Sequence, residues 1–354
     1  MAAVNSSSIS LKRLKRDTDN DHYFQAYSDL GVHEDMVRDF VRTNTYRKAI
    51  EEYSKYFKNK VVLDVGAGTC ILSIFCAKAG ARKVYAVEAS DIVYQAKKVI
   101  EENSFQHVIT TFHSKIEDII LPEKVDIIVS EWMGYFLLFE NMLSSVIYAR
   151  DHWLQEGGII LPGQAKIHVC AISADTLLEE KLNFWDSTAK LYGVKMSSLA
   201  PQARQSFLKE VQVEQLQPEQ ILSFSQTVYM VDCYTATLNT IKAFRAPFCL
   251  KFIGDGKLAG LGAWFDVTFW HREFLSDETT KPLTLSTSPE RSPTHWSQTL
   301  FYFDELIDVY QDETLSGELQ VQLNSQKPRF VDVFILAELN NWKLEKSFTL
   351  KSFY

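Results

Sequence analysis

Lys60-Val-Val-Leu-Asp-Val-Gly-Ala-Gly-Thr-Cys70 is a short apolar run that stops at two glycines, and Ile71 to Ala79 after it has helical character ending at Gly80. Strand, glycine loop and helix open a parallel βαβ unit. The alternation continues downstream: Val84–Glu88 reads as a strand, Asp91–Asn103 as a helix, Val108–Phe112 as a strand, and Val125–Val129 as a buried strand closing at Ser130-Glu131. In such sheets ligands sit beyond the carboxyl ends of the strands. Chemistry is therefore expected at the glycine loop, at Glu88 and just after Val129.

Working outward, residues 1–20 read as a flexible tail and 21–56 as a helical segment with aromatics and charges mixed on its faces. The α/β unit occupies 57–162. After Pro162 the texture changes to short strands of period two, as in Gly317–Leu323, where Leu319, Val321 and Leu323 alternate with polar residues. Residues 163–354 are thus expected to be β-rich. A helical stretch at about 174–206 interrupts them, with Leu178, Leu182, Trp185, Ala189 and Tyr192 at spacings that form one apolar stripe.

At 354 residues the chain is too long for one ordinary core, and its 46% hydrophobic and 13% aromatic content excludes a disordered protein. A formal charge of −8 makes nucleic acid a poor partner and favours a cationic one. Five cysteines without a Cys-x-x-Cys pair indicate neither a disulfide framework nor a metal site, and point to a reducing compartment. With no run of about 20 apolar residues, no membrane span is expected. Lys12, Arg13, Lys15 and Arg16 read first as part of a solvated tail, with a nuclear import signal as the alternative.

Three features choose the ligand of the glycine loop. A dinucleotide fingerprint needs a third glycine where this chain has branched Ile71, which disfavours a pyrophosphate. Asp64 stands just before Gly66 and Gly68, where an acid suits a zwitterionic ligand better than a polyphosphate. Glu88, at the end of the next strand, is placed to accept hydrogen bonds from both ribose hydroxyls. An adenosyl ligand without phosphates, S-adenosylmethionine, satisfies all three. Glu117, after the third strand, is a further acceptor, for the adenine amino group; by itself it would be a surface acid.

Glu131 and Glu140 bracket an aromatic-rich loop at the end of a central strand. Two carboxylates held together repel unless a cation lies between them, and a guanidinium is planar, always charged and rich in donors. Such a pair would also concentrate the positive charge on one side of a guanidinium, leaving its terminal nitrogen a better nucleophile toward a sulfonium methyl. The bland alternative is a helix cap or a pairing with a local Lys or Arg.

Val62-Leu-Asp-Val-Gly-Ala-Gly-Thr69, Val87-Glu-Ala-Ser90, Ser130-Glu-Trp-Met-Gly-Tyr135, Tyr148-Ala-Arg-Asp151 and Thr294-His-Trp296 resemble, in order, the motifs of the protein arginine methyltransferases. The resemblance implies an α/β fold: a Rossmann-like S-adenosylmethionine-binding domain, then a β-barrel-like domain with an inserted helical arm through which the family forms homodimers. It implies Glu131 and Glu140 as the catalytic pair, Glu88 at the ribose, and Glu117 at the adenine with Ile116 beside it. His33 and Arg42 would surround the methionine end of the cofactor, and His295 would pair with Asp39 as a proton exit. Tyr27, Met36, Tyr135, Met142 and Trp296 would line the substrate pocket, the two methionines matching members that form asymmetric dimethylarginine. The look is that of type I enzymes such as those numbered one and six, acting on histone tails or arginine-glycine-rich proteins in nucleus, cytoplasm or both.

One position departs from this pattern, since the family usually has glycine where this chain has Cys70. The thiol either lies near the cofactor and a helix N-terminus with a lowered pKa, or is buried and inert. Two other readings compete. A small-molecule methyltransferase accounts for the glycine loop but not for the acidic pair, and a catalytically weak coregulator is favoured by Cys70 alone.

Overall fold

The computed structural model describes residues 18–174, 176–271, 274 and 281–351. Most of the tail expected at 1–20, with its basic cluster, lies outside the described residues. Four helices open the chain: α1 (Thr18–Ala26), α2 (Leu30–Arg38), α3 (Phe40–Glu52) and α4 (Ser54–Phe57). They lead into β1 (Val61–Val65), α5 (Ile71–Lys78), β2 (Lys83–Glu88), α6 (Val93–Glu102), β3 (Ile109–His113), β4 (Val125–Val129), α7 (Leu143–Trp153) and β5 (Leu154–Leu161). The five strands form one parallel sheet in the order β3-β2-β1-β4-β5. The order reverses between β1 and β4, so the loops after these two strands flank the crevice where ligands of open α/β sheets bind.

β1 is buried at all five positions because helices cover both faces of the sheet. Each buried Val or Leu there contributes about 1.5–3 kcal/mol. Asp64, wholly buried in the same strand, is tolerated because Ser73 Oγ donates to its Oδ2 at 2.6 Å. α6 shows why a polar helix docks: Val93, Ala96 and Ile100 share one face and are buried, while the rest of its surface meets solvent.

From β6 (Gln164–Ser173) onward the strands are antiparallel. The arm helices α8 (Thr176–Tyr192) and α9 (Ala200–Lys209) precede β7 (Gln212–Glu214), β8 (Gln226–Asp232), α10 (Leu238–Lys242), β9 (Ala243–Lys251), β10 (Gly256–Phe269), β11 (Leu283–Ser286), β12 (Gln298–Val309), β13 (Thr314–Leu323), β14 (Val331–Leu339) and β15 (Trp342–Leu350). The barrel-like half takes the form of two sheets, β7-β12-β10-β6-β8 with β11 on β10, and β15-β14-β13-β9. In β14, Val331, Val333, Ile335, Ala337 and Leu339 are buried while their neighbours are not, the period-two signature of a one-faced strand.

One hydrophobic core runs through both halves, from Phe57, Leu63 and Ile128 to Phe265, Phe301 and Leu350. Polar ties reinforce it. Tyr53 donates to the carbonyls of Phe269 and Lys281 at 3.0 and 2.9 Å, and Arg150 to those of Cys233 and Ala236 at 3.0 and 2.6 Å. The parallel and antiparallel sheets are therefore held in fixed relation, which matters because the site draws on both.

The arm corrects one expectation. Leu178 is buried and Leu182 packs with it on the chain's own second core, around Ile172, Leu216 and Tyr302, whereas Ala189 and Tyr192 are exposed. The stripe thus serves two purposes: its base fixes the arm to its own barrel, and its far end is free. The apolar side chains left open are Phe184, Leu191, Tyr192, Val194, Met196 and Leu199.

Candidate active site

A cavity of about 470 Å³ opens at the carboxyl ends of β1, β2 and β4. Gly66 has φ +73°, and a side chain there would bring Cβ within 2.5 Å of Met142 Cε, so the loop after β1 needs glycine for both conformation and space. Gly68 N donates to Glu88 Oε2 at 2.8 Å, and Ser90 N to Glu88 Oε1 at 2.7 Å. Glu88 is thereby fixed at the wall, with lone pairs left for a diol. Ile116 and Glu117 line the same wall, and Ser145 Oγ holds Glu117 at 2.7 Å.

The opposite wall comes from the N-terminal helices. Tyr23, Phe24 and Tyr27 of α1 and its exit line the cavity, as do His33 and Met36 of α2, and His33 Nε2 meets the Tyr27 carbonyl at 2.8 Å. The carboxylates Glu88 and Glu117, the glycine backbone and this cover fit S-adenosylmethionine. When bound, that cofactor supplies an electrophilic sulfonium methyl. The chain's own part is to orient, desolvate and polarise the nucleophile.

The segment between β4 and α7 holds the acidic pair. Phe136, Leu137, Glu140 and Asn141 all have positive φ, each at a cost of about 1–3 kcal/mol. The turn closes so tightly that a side chain at Gly134 would place Cβ 2.0 Å from the Phe139 carbonyl oxygen. Burial of Phe136, Leu137 and Phe139 offsets this strain and turns Glu140 back into the cavity. Its Oε2 accepts from Tyr23 and Tyr27 hydroxyls at 2.9 and 2.8 Å. Burial pushes its carboxyl up to about 7, against the opposing pull of those hydroxyls and Arg329.

Arg42 lines the cavity, and its Nε and Nη2 donate to one oxygen, Glu131 Oε2, at 3.0 and 2.8 Å. The pair is nearly buried on both sides. The partner of Glu131 is thus an arginine 89 residues away in the chain, not a local one. Its Oε1 accepts only from Met133 N at 3.2 Å among the described residues, and so keeps capacity for a second guanidinium.

Asp39 and Asp64 stand behind the wall. His295 lines the cavity, and its backbone N and Nδ1 meet Asp39 Oδ2 at 2.9 and 2.7 Å. Burial pushes the Asp39 carboxyl up, but hydrogen bonds from His295 and from the Arg42 and His295 amides outweigh it and hold it below the usual range. An ionised Asp39 orients the ring. Trp296 donates to the Met133 carbonyl at 2.9 Å, fixing this barrel loop to the segment after β4, and Tyr135 and Met142 complete the lining. Asp64 does not reach the cavity; it braces the loop through Ser73. Its Oδ1 has no partner among the described residues, and burial pushes its carboxyl to about 7.

Cys70 resolves toward the inert reading. It takes the left-handed conformation, φ +63°, at the N-terminus of α5, is fully buried, and does not line the cavity. Burial, then the Asp64 and Glu88 charges, push its thiol far above the ordinary value. The familiar glycine at this position is explained by the left-handed backbone, and Cys70 meets it with a strained but well-packed side chain. Of the five cysteines, all within the described residues, only Cys249 is exposed. A thiol reagent should therefore label one cysteine of the native protein and leave its activity intact. Rapid inactivation with protection by S-adenosylmethionine would reverse this assignment.

Arg329 had no sequence signal. It lies in the turn between β13 and β14, 189 residues from the glutamate it touches, yet it lines the cavity. Ser144 and Ser145 were also silent, since a serine pair at the start of a helix reads as capping.

Comparison with known proteins follows this geometry. Residues 163–341 match the arginine methyltransferase oligomerization subdomain, and residues 43–166 match the ribosomal protein L11 methyltransferase family. The chain is 42% identical to protein arginine N-methyltransferase 6 of Danio rerio, covering 97% of each chain. It is also 42% identical to protein arginine N-methyltransferase 1 of Chlamydomonas reinhardtii, covering 91% of this chain and 89% of that one. Among solved structures, the Trypanosoma brucei PRMT1 enzyme–prozyme complex with AdoHcy superposes with a TM-score of 0.82 at 33% identity, covering 92% of this chain and 100% of that one. With the glycine loop, the acidic pair and the barrel loop meeting in one cavity, the chain belongs to the S-adenosylmethionine-dependent protein arginine N-methyltransferases.

Proposed function

We propose that this protein is a type I enzyme, which forms monomethyl and then asymmetric dimethylarginine on histone tails or arginine-glycine-rich proteins, as a homodimer in nucleus, cytoplasm or both. The reading is carried by one observation: Glu131 and Glu140 open on a single cavity whose wall includes Met36 and Met142. Glu131 Oε1 and the Glu140 carboxylate hold the guanidinium, and the methionines shape the space around its terminal nitrogen. His295, oriented by Asp39, takes the proton that each methylation releases. A net charge of −8 favours cationic substrates.

The product decides the type. Labelled S-adenosylmethionine with an arginine-glycine-rich peptide and a histone tail, followed by acid hydrolysis and chromatography, should give asymmetric dimethylarginine; symmetric product or monomethylarginine alone would overturn the assignment.

The dimer rests on the open end of the arm, where Tyr192 is 70% and Leu191 56% exposed, a cluster that an isolated protomer leaves in water. Replacing Phe184, Leu191 and Tyr192 with Ser should yield a folded monomer in sedimentation with weakened cofactor binding. Leu182 is a poor position for this test because it packs on its own chain's second core. Unchanged sedimentation would remove the arm from the interface.

A further inference from the structure

Glu140 has φ +73°, a conformation an L-residue keeps only when its surroundings hold it there. Both of its main-chain groups are held by one residue of the other half of the molecule. Glu140 N donates to the Arg329 carbonyl at 2.8 Å, and Arg329 Nη1 donates to the Glu140 carbonyl at 2.8 Å. The same guanidinium lies 3.6 Å from the centre of the Tyr23 ring and 5.2 Å from that of Phe24. Tyr23 in turn donates to Glu140.

α1 has nine residues, too few to be stable as an isolated helix, so its place over the cavity depends on tertiary ties. Those ties converge on Glu140 and Arg329. We propose that Arg329 is a positioning residue for methyl transfer: its guanidinium locks the strained backbone of Glu140 and clamps α1 over the cofactor cavity in one movement. Turnover requires α1 to yield when cofactor exchanges and Glu140 to be correctly aimed when the substrate guanidinium arrives. A contact shared by both lets the covered state and the aimed carboxylate form together. The planar fork is needed because one face stacks on Tyr23 while an edge donates to a carbonyl, which an ammonium does not reproduce.

This inference rests on the reading of Glu140 as a guanidinium-holding carboxylate, and the experiment separates the two. Charged and titratable groups facing Glu140 are Tyr23 and Tyr27 from the α1 side, Arg329 from the barrel turn, Glu131 from the end of β4, and Tyr135 from its own segment. Of these, Arg329 is the cation, and it favours the ionised carboxylate.

Arg329→Ala, Arg329→Lys and Glu140→Gln are to be compared in the full chain by calorimetry with S-adenosylhomocysteine, by kcat with an arginine-glycine-rich peptide at pH 7, and by the acid limb of kcat/KM from pH 6 to 9. Arg329→Ala should bind S-adenosylhomocysteine about tenfold more weakly and lose about 50-fold in kcat at pH 7, as misplacement of a catalytic group does. Its acid limb should move to higher pH, so that the deficit narrows toward pH 9. Arg329→Lys should restore the acid limb, having the charge, but not the affinity, lacking the stacked fork. An Arg329→Ala variant with the parent's acid limb, whatever its thermal stability, would reduce Arg329 to a structural tie and overturn the proposal. Wild-type turnover in Glu140→Gln would instead remove the reading beneath it.

Discussion

Replacing Glu140 with Gln is expected to lower turnover by about 100- to 1,000-fold, the effect of deleting a charge aimed at the transition state, while cofactor affinity stays within a few-fold. The amide oxygen still accepts the Tyr23 and Tyr27 hydroxyls, so α1 keeps its ties and only the charge is lost. Glu131→Gln should lose turnover to a similar degree but differ in kind. Glu131 neutralises Arg42 in a pair whose side chains are 7% and 9% exposed, and an amide leaves that guanidinium buried without a counter-charge. Breaking a buried pair from one side costs about 3–5 kcal/mol, so this variant should also melt earlier and bind cofactor more weakly. Turnover at saturating substrate, S-adenosylhomocysteine calorimetry and thermal melts together read the contrast. Wild-type turnover in either variant contradicts the role given to that carboxylate.

The parallel half was legible because its strands are local: short apolar runs, the first ending in glycine, alternate with helices and leave one economical topology. The acidic pair was legible because two carboxylates around an aromatic loop at a strand end are hard to explain otherwise. What escaped was long-range pairing. Nothing in the neighbourhood of Arg42 says that it binds Glu131, and nothing in the turn around Arg329 says that it reaches Glu140. Cys70 stayed open between two readings because φ is not visible in a residue's identity; only the left-handed backbone at the head of α5 explains why glycine would suit the position. The arm was half legible: periodicity identified the stripe at Leu178 to Tyr192, but not where its own barrel ends and open surface begins.

The pH dependence should carry the second large effect. Burial holds the Glu140 carboxyl up to about 7, and only the ionised form can hold a guanidinium. The acid limb of kcat/KM should therefore fall about tenfold per pH unit below 7, reporting the free enzyme. Stability runs the opposite way. Because the folded-state value lies above the ordinary 4.5, Glu140 favours the fold below about pH 4.5, and that contribution is lost as pH rises through 7. The gap corresponds to about 3 kcal/mol. Ionised Glu140 thus strains the free protein, and the substrate cation relieves it. Glu140→Gln, which cannot ionise, should melt several degrees higher than the parent at pH 8 and lose that advantage toward pH 5. Asp64, pushed by burial to about 7 as well, titrates in the same window, but it is common to both proteins and cancels in the difference. A melting difference that stays flat from pH 5 to 9 would pass the acid limb from Glu140 to Asp64, and the glycine loop, not the acidic pair, would then set the working pH.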